Sequence, residues 1–190
     1  DLVRSRGLGD VYKRQTLTLS GTNTYSGVTN INGGVVSVTA DANLGTNAGL
    51  TFNAGTLTIT GSTAFTTAKN ITLNGVGTIT NNNSSGATFT GTIANGAHLL
   101  TVNGTGNTTI SGIIGNGAGG LTKAGAGTLT LTGANTYTGV TTINSGILEV
   151  NSTHSTGFVV NDGGTLRQGA GNSYQRGTYY TINSCLLYTS

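Results

Sequence analysis

The chain has 190 residues, with 33 glycines, no proline, 7% charged residues and a formal net charge of +3. Low charge and abundant glycine can indicate disorder, but the apolar residues here are regularly spaced and often β-branched, which predicts ordered strands. No basic stripe with interleaved aromatic residues follows the first fifteen positions, which argues against nucleic-acid binding, and the single Cys185 cannot form an internal disulfide.

Both ends of the chain differ in composition and in residue pattern from the residues between them. Residues 1–15 are charged and aperiodic, and residues 185–190 also break the pattern. We interpret both as non-native, adapter-like ends, and residues 16–184 as one β-helix segment. A genuine basic N-terminal arm is the alternative interpretation of residues 1–15. Because methionine is absent, we expect a fragment. Neither a signal segment nor an apolar run of about 20 residues occurs, which says little about the parent protein of a fragment.

Residues 16–38 form the first cassette, with the sequence TLTLSGTNTYSGVTNINGGVVSV. The pattern is strand, turn, strand, turn, strand, and Val36 and Val38 are the predicted inward pair of its last strand. The same body returns at residues 128–150, where 15 of 23 aligned positions are identical. Self-similarity on this scale predicts stacked repeats.

Between the two copies, short alternating runs predict further strands separated by Gly and Asn turns. We predict a turn at residues 41–45 and a loop at residues 81–85 that bulges from a corner. The residues that mark the strands are Leu50, Phe52, Leu57, Ile59, Ile71, Leu73, Ile79, Phe89, Ile93, Leu99, Leu100, Val102, Ile110 and Ile113.

Residues 121–150 form the second cassette, LTKAGAGTLTLTGANTYTGVTTINSGILEV. Its strands are predicted at residues 128–132, 140–143 and 147–150, because apolar and hydroxyl side chains alternate there and Gly and Asn interrupt the alternation. Glu149 is predicted to face solvent. The predicted inward residues are Leu129, Leu131, Leu148 and Val150. Further strands are predicted around Phe158, Val160, Leu166, Tyr179, Tyr180 and Ile182.

One cassette cannot bury its apolar edge alone, so neighbouring coils must cover it, as in a solenoid. If each coil takes about 20–25 residues, the body holds about seven or eight coils. At a strand spacing of about 4.8 Å, the rod would be about 35 Å long, with open ends.

The string GAGTLTLTGANTYTGVTTINSGILEV resembles the autotransporter-associated β-strand repeat of bacterial outer-membrane passengers. The matching residues are Leu121, Thr122, Lys123, Gly125, Gly127, Thr128, Leu129, Leu131, Thr132, Gly133, Asn135, Thr136, Tyr137, Gly139, Thr141, Thr142, Ile143, Asn144, Gly146, Leu148 and Val150. The resemblance implies an all-β, right-handed parallel β-helix on the bacterial cell surface. The parent chain would carry a signal and an outer-membrane barrel, neither expected within these residues.

That resemblance, together with the small number of acidic and histidine side chains, predicts a non-catalytic structural or adhesive segment. Its expected partners are host or matrix glycans, proteins, or neighbouring cells. Hydrolytic or lyase chemistry needs paired carboxylates, or a nucleophile beside a base. Outside the ends, the only acids and histidines are Asp41, His98, Glu149, His154 and Asp162.

Each of these five residues has a structural explanation. Asx turns explain Asp41 and Asp162, and no recognisable nucleophile accompanies His154 and Asp162. We therefore predict no catalytic residue. A polysaccharide-cleaving β-helix is the alternative, and it would need the acids gathered in one groove.

Two glycine-rich stretches give only weak ligand signals. Residues 161–164, Asn-Asp-Gly-Gly, resemble one calcium β-roll unit but do not recur every nine residues. Residues 112–120 have the spacing of a dinucleotide loop, but no helix is predicted after them. Cys185 lies in the adapter-like end. We predict no metal site and no cofactor.

Threonines recur at every second position in several places. These are Thr16/Thr18, Thr56/Thr58/Thr60, Thr78/Thr80, Thr88/Thr90/Thr92 and Thr128/Thr130/Thr132. Aligned on one flat face, they would order water and bind ice, which is a further alternative function; a distribution over different faces would exclude that array. Threonine also fits outward strand positions because it is β-branched, and the irregular spacing favours this simpler interpretation.

Overall fold

The computed structural model describes residues 15–46, 49–115, 117–152, 156–169 and 180–183. Apart from one 3-10 turn at Asp41–Leu44, the regular elements of this part are short strands. The strands are β1 Thr16–Leu19, β2 Thr29–Ile31, β3 Val35–Val38, β4 Leu50–Phe52, β5 Gly55–Ile59, β6 Phe65–Thr67, β7 Ile71–Leu73, β8 Gly77–Asn81, β9 Ala87–Phe89, β10 Ile93–Ala94, β11 Leu100–Asn103, β12 Thr108–Ile110, β13 Ile114–Gly115, β14 Leu121–Lys123, β15 Thr128–Leu131, β16 Thr141–Ile143, β17 Gly146–Val150, β18 Phe158–Val160, β19 Gly164–Gln168 and β20 Tyr180–Ile182.

The strands form three parallel sheets. The nine-stranded sheet has the order β1-β3-β5-β8-β11-β14-β16-β18-β20, the five-stranded sheet β13-β10-β7-β4-β2, and the six-stranded sheet β19-β17-β15-β12-β9-β6. Paired residues lie one coil apart in sequence, and the coils differ in length: Thr141 pairs with Phe158 across a short coil, and Thr78 pairs with Thr101 across a longer one. The chain therefore winds as a β-solenoid of about seven turns, and the predicted parallel β-helix is confirmed.

Strict alternation along the strands supplies the core. The predicted inward residues of the second cassette are buried: Leu129, Leu131, Leu148 and Val150. Leu148 pairs with Leu129 on one side and Leu166 on the other, so like residues stack from coil to coil. Burying one such side chain stabilises a fold by about 1.5–3 kcal/mol, which makes the long thin core the main source of stability.

Two details of the core were not predicted. Leu99 and Ile113, predicted to mark strands, lie immediately before β11 and β13 and are 39% and 44% exposed, while Leu100 and Ile114 are buried. Strand β6 had no prediction, yet Phe65 enters the core and lies 5.9 Å, ring centre to ring centre, from Phe89.

Each cassette builds one coil with its own register. In the first, Thr16 lies opposite Val35, and in the second, Thr128 lies opposite Ile147. The two pairs have the same separation in sequence and occupy equivalent positions in the aligned copies. The first and third strands of a cassette are therefore direct neighbours in one sheet.

The two cassettes nevertheless lie on different faces. Strands β1 and β3 belong to the nine-stranded sheet, whereas β15 and β17 belong to the six-stranded sheet. Five parallel pairings lead from β1 to β14 along the nine-stranded sheet, and β15, which aligns with β1 of the first cassette, follows one sheet later. The copies are related by about five and one-third coils, so they do not stack directly on one another.

Small residues close the corner between the six-stranded and five-stranded sheets. Gly91, Gly112 and Gly133 follow one another there in consecutive coils, and a Cβ atom on Gly133 would collide with the backbone carbonyl of Gly112. Gly21 holds the same cassette position as Gly133, but a Cβ atom there would have no neighbour within 4 Å. At this cassette position, glycine is therefore required only where a preceding coil covers it.

The predicted loop at residues 81–85 is a corner, but it turns its amides inward instead of bulging. The side chains of Asn81 and Asn83 are fully buried. The Asn81 Nδ2 donates to the Asn107 carbonyl at 2.8 Å, and its Oδ1 accepts from the Asn83 backbone N–H at 2.9 Å. Buried amides with both ends bonded satisfy corner backbone groups that no strand can reach.

Candidate functional site

Asp41 lies in the 3-10 turn, where its Oδ2 accepts from the Lys69 Nζ at 3.2 Å. An Asx turn does not explain it, which corrects the prediction. The neighbouring Asn43 instead accepts from the backbone N–H groups of Thr39 and Ala40, at 3.0 and 2.9 Å. Asp41 thus forms an ion pair with a lysine of the next coil, whose side chain is only 6% exposed.

The ion pair forms one wall of a shallow cavity of about 310 Å³. Its lining residues are Asp41, Thr46, Gly49, Ala68, Lys69 and Asn70. One carboxylate and one ammonium already bonded to each other leave neither a second acid nor a free base for general acid–base chemistry.

Glu149 lies on β17, opposite Arg167 of β19, and its Oε1 accepts from the Asn151 Nδ2 at 2.8 Å. It faces outward, as predicted, and is half-buried. Asp162 is exposed in the turn before β19, where the Gly164 N–H donates to the Asn161 carbonyl at 3.0 Å. The turn predicted at Asp162 is present, and the hydrogen bond that closes it joins two backbone groups.

The acids are not gathered in one groove. The turn that holds Asp41 packs on β6, and β17 lies four further strands along the same stack. At about 4.8 Å per strand, Asp41 and Glu149 are separated by about 24 Å along the axis. Among the described residues, no group of three or more His, Cys, Asp and Glu could hold a metal ion.

The histidines and the cysteine add no partner to these acids in the described part. His98 is half-buried in the turn between β10 and β11, and its backbone N–H donates to the Asn95 carbonyl at 2.8 Å. His154 and Cys185 lie outside the described residues. Residues 112–115, at the start of the predicted glycine-rich stretch, contain β13 and no helix.

Lys123 is a second buried lysine that the sequence interpretation missed, after Lys69. It points into the core, 2% exposed, in the same inward column as Val102 and Ile143 of the adjacent strands. Its Nζ donates to the carbonyls of Ala124 at 2.7 Å, Gly125 at 2.7 Å and Ser145 at 3.1 Å. Burial lowers the pKa of Lys123 to about 8. The strand alternation of residues 121–123 could have indicated its inward direction.

Tyr137 is the other polar group in the core of the second cassette. Its ring is 1% exposed, and its hydroxyl shares a hydrogen bond of 2.7 Å with the Thr141 hydroxyl. Burial raises the pKa of Tyr137, and the bond to Thr141 acts in the opposite direction. The first cassette makes the same bond, 2.8 Å between Tyr25 and Thr29, although Tyr25 is 39% exposed. The bond therefore belongs to the cassette and does not depend on its surroundings.

The sequence profile of the family described as passenger-associated-transport-repeat matches residues 15–38 and 121–150. These are the two cassettes. Both cassettes fit an autotransporter passenger repeat, and we call them the passenger repeats. The family indicates a secreted or cell-surface location. No match was found among curated proteins or among solved structures. Over the described residues, no helix has the length and hydropathy needed to cross a bilayer.

The two passenger repeats offer a matched test of the tyrosine bond. We expect Tyr137→Phe to lower the free energy of unfolding by about 1–2 kcal/mol, because the Thr141 hydroxyl loses a buried partner. We expect Tyr25→Phe, which removes the same bond at an exposed site, to change it by less than about 0.5 kcal/mol. Urea unfolding followed by circular dichroism measures both, and equal losses would show that burial of the bond is irrelevant.

The threonine pairs do not all lie on one face of the solenoid. Thr16/Thr18, Thr56/Thr58 and Thr78/Thr80 lie on the nine-stranded sheet, whereas Thr88 and Thr128/Thr130 lie on the six-stranded sheet. The array that the ice-binding alternative would form from all of these pairs is therefore absent. Within each sheet, outward threonines fill half-buried strand positions, in agreement with the simpler interpretation.

Proposed function

We propose that the chain is a non-catalytic segment of a surface-displayed autotransporter passenger, where it acts as a rigid β-helical stalk and adhesive scaffold. The observation that supports this best is the unbroken nine-stranded parallel sheet, which begins in one passenger repeat and continues through the other. A solenoid in which each coil contacts only its neighbours is suited to length and stiffness.

The arrangement of the charged residues supports a role without catalysis. Asp41 is engaged by Lys69, Glu149 faces Arg167, and Asp162 lies exposed in the turn before β19, five residues from Arg167. The part of β19 that leads to Arg167 alone spans about 10 Å. A glycosidase or lyase would need two acids within about 5–10 Å of each other, around one sugar. The polysaccharide-cleaving alternative therefore lacks the geometry it requires among these residues.

Surface display tests the scaffold role. The chain would be inserted between a secretion signal and the outer-membrane barrel of an unrelated autotransporter, and produced in a Gram-negative host. We expect the chain to become accessible to external protease and to bind one class of immobilised glycan, matrix protein or cell. Display without binding to any of these surfaces would leave the stalk role and remove the adhesive one.

The enzymatic alternative is tested on the purified chain with a panel of polysaccharides. We expect no release of reducing ends. The triple variant Asp41→Asn, Glu149→Gln, Asp162→Asn is the control, because these substitutions keep side-chain size and remove the three described acids. Cleavage by the parent chain that disappears in this variant would contradict the proposal.

A further inference from the structure

The outward surface of the nine-stranded sheet carries a continuous column of small side chains. From β1 to β20 the column is Thr16, Val35, Thr56, Thr78, Thr101, Thr122, Thr142, Val159 and Thr181. Residues 56, 78, 101, 122 and 142 are threonines on five consecutive strands. Their spacing in sequence varies because the corners differ in length, while the sheet keeps their register. We call this surface the threonine face.

Exposed aliphatic side chains border the threonine face. Val76, Leu99 and Val140 are 55%, 39% and 52% exposed. Each immediately precedes β8, β11 or β16, and lies two positions before a threonine of the column, so it points to the same side of the sheet. Hydration of exposed aliphatic groups is unfavourable, so covering this border would be favourable.

The outward positions of the nine-stranded sheet carry no charge among the described residues. Asp41, Lys69 and Asp162 lie in turns and corners, Glu149 and Arg167 lie on the six-stranded sheet, and Lys123 points into the core. A surface of hydroxyl and methyl groups without charge does not need an oppositely charged partner. Two copies can therefore face each other without charge repulsion.

We propose that the threonine face binds the threonine face of a second copy of this chain. Nine strands about 4.8 Å apart and three to five residues long give a surface of about 40 by 13 Å, or about 500 Å² per copy. Specific interfaces bury about 800 Å² per partner, and weaker transient ones less, so this area fits a concentration-dependent dimer. Two sheets stacked face to face in this way resemble the layers of a β-sandwich.

The position of Thr101 makes the proposal specific. Strand β11, which carries it, is the fifth of the nine strands. A two-fold axis that superposes the two sheets, either along the solenoid or across it, therefore brings β11 opposite its own copy. A charge at position 101 meets the same charge in the partner in both arrangements.

The test uses the complete 190-residue chain in sedimentation equilibrium over a range of concentrations. We expect the apparent mass to double as concentration rises. Thr101→Lys should raise the dissociation constant at least about tenfold, because like charges would be juxtaposed in the interface. Thr109→Lys is the matched control: it makes the same substitution at a half-buried outward position of the six-stranded sheet, and should change the constant less than about twofold.

A mixture supplies the positive test. Thr101→Lys and Thr101→Glu should each be impaired alone, and together they should recover dimer formation through opposite charges at the two-fold axis. Circular dichroism should show the same strand content in all variants, since the substituted side chain points outward. A parent chain that stays monomeric up to about 1 mM would overturn the proposal.

Two further outcomes also contradict it. If Thr109→Lys raised the dissociation constant as much as Thr101→Lys, the contact would lie on another face. A monomeric chain that shapes growing ice crystals, and loses this effect in Thr101→Lys, would assign the threonine face to ice instead.

Discussion

Replacing Lys123 by methionine should lower the free energy of unfolding by about 2–4 kcal/mol, because each buried acceptor left without a donor costs about 1–3 kcal/mol. The Nζ of Lys123 donates to three carbonyls, those of Ala124, Gly125 and Ser145, which belong to corners of two adjacent coils. Methionine fills a similar volume but donates no hydrogen bond. The half-buried corner admits some water, which keeps the sum below the upper limit.

The control for this change is Ile143→Met, on the next strand in the same inward column. It places the same side chain at the same depth without removing a donor, and should cost less than about 1.5 kcal/mol. Guanidinium unfolding followed by circular dichroism measures both variants. If Lys123→Met were as stable as the parent chain, the burial penalty of the ammonium would equal the gain from its three bonds.

The pH dependence of stability gives a second readout of Lys123. Its pKa is lowered to about 8 by burial, against 10.5 for an ordinary lysine. Between these values the unfolded chain holds a proton that the folded chain has released, so stability should rise as the pH rises from 8 toward 10.5. Lys123→Met lacks this group. The difference in stability between parent and variant should therefore be larger at about pH 9.5 than at about pH 7.

Adding one methyl group at Gly133 should cost about 2–3 kcal/mol, although alanine is normally a mild substitution. The new Cβ would collide with backbone atoms of Gly112 and Ser111 in the preceding coil. Backbone atoms cannot rotate away as a side chain can, so the coils themselves must separate. Thermal unfolding and urea titration should both report the loss.

Gly21→Ala is the matched control because Gly21 holds the same passenger-repeat position without a covering coil. Nothing lies within 4 Å of a Cβ atom there. We expect a change within about 0.5 kcal/mol. A loss at Gly21 as large as that at Gly133 would mean that the glycine is needed for its backbone conformation and not for close packing.

Local features of the fold could be read from the sequence. Alternation over residues 128–132 predicted the inward Leu129 and Leu131, and Asn and Gly predicted the turns, because both depend on neighbouring residues only. The alternation did not determine whether Leu99 or Leu100 points inward. Two adjacent leucines offer two registers, and only the pairing of Leu100 with Gly77 and Leu121 selects one.

Features that depend on summed coil lengths could not be predicted. The face on which a cassette lies follows from the lengths of all coils before it, and these lengths are unequal, as the unequal offsets of paired residues in successive coils show. The distance between Asp41 and Glu149 depends on the same sum. The three acceptors of Lys123 are likewise contributed by two coils, so residues 121–125 alone could not reveal the bond to Ser145.

The self-contained register of the passenger repeat has a consequence for how such rods change length. The first and third strands of each repeat pair with the same offset in sequence, whichever face they occupy. Copying the unit defined by this offset in tandem adds one full coil and leaves every later strand on its original sheet. The rod grows by about 4.8 Å per copy without twisting its surfaces out of line. Gene duplication can therefore extend the reach of the molecule while its distal surfaces keep their orientation.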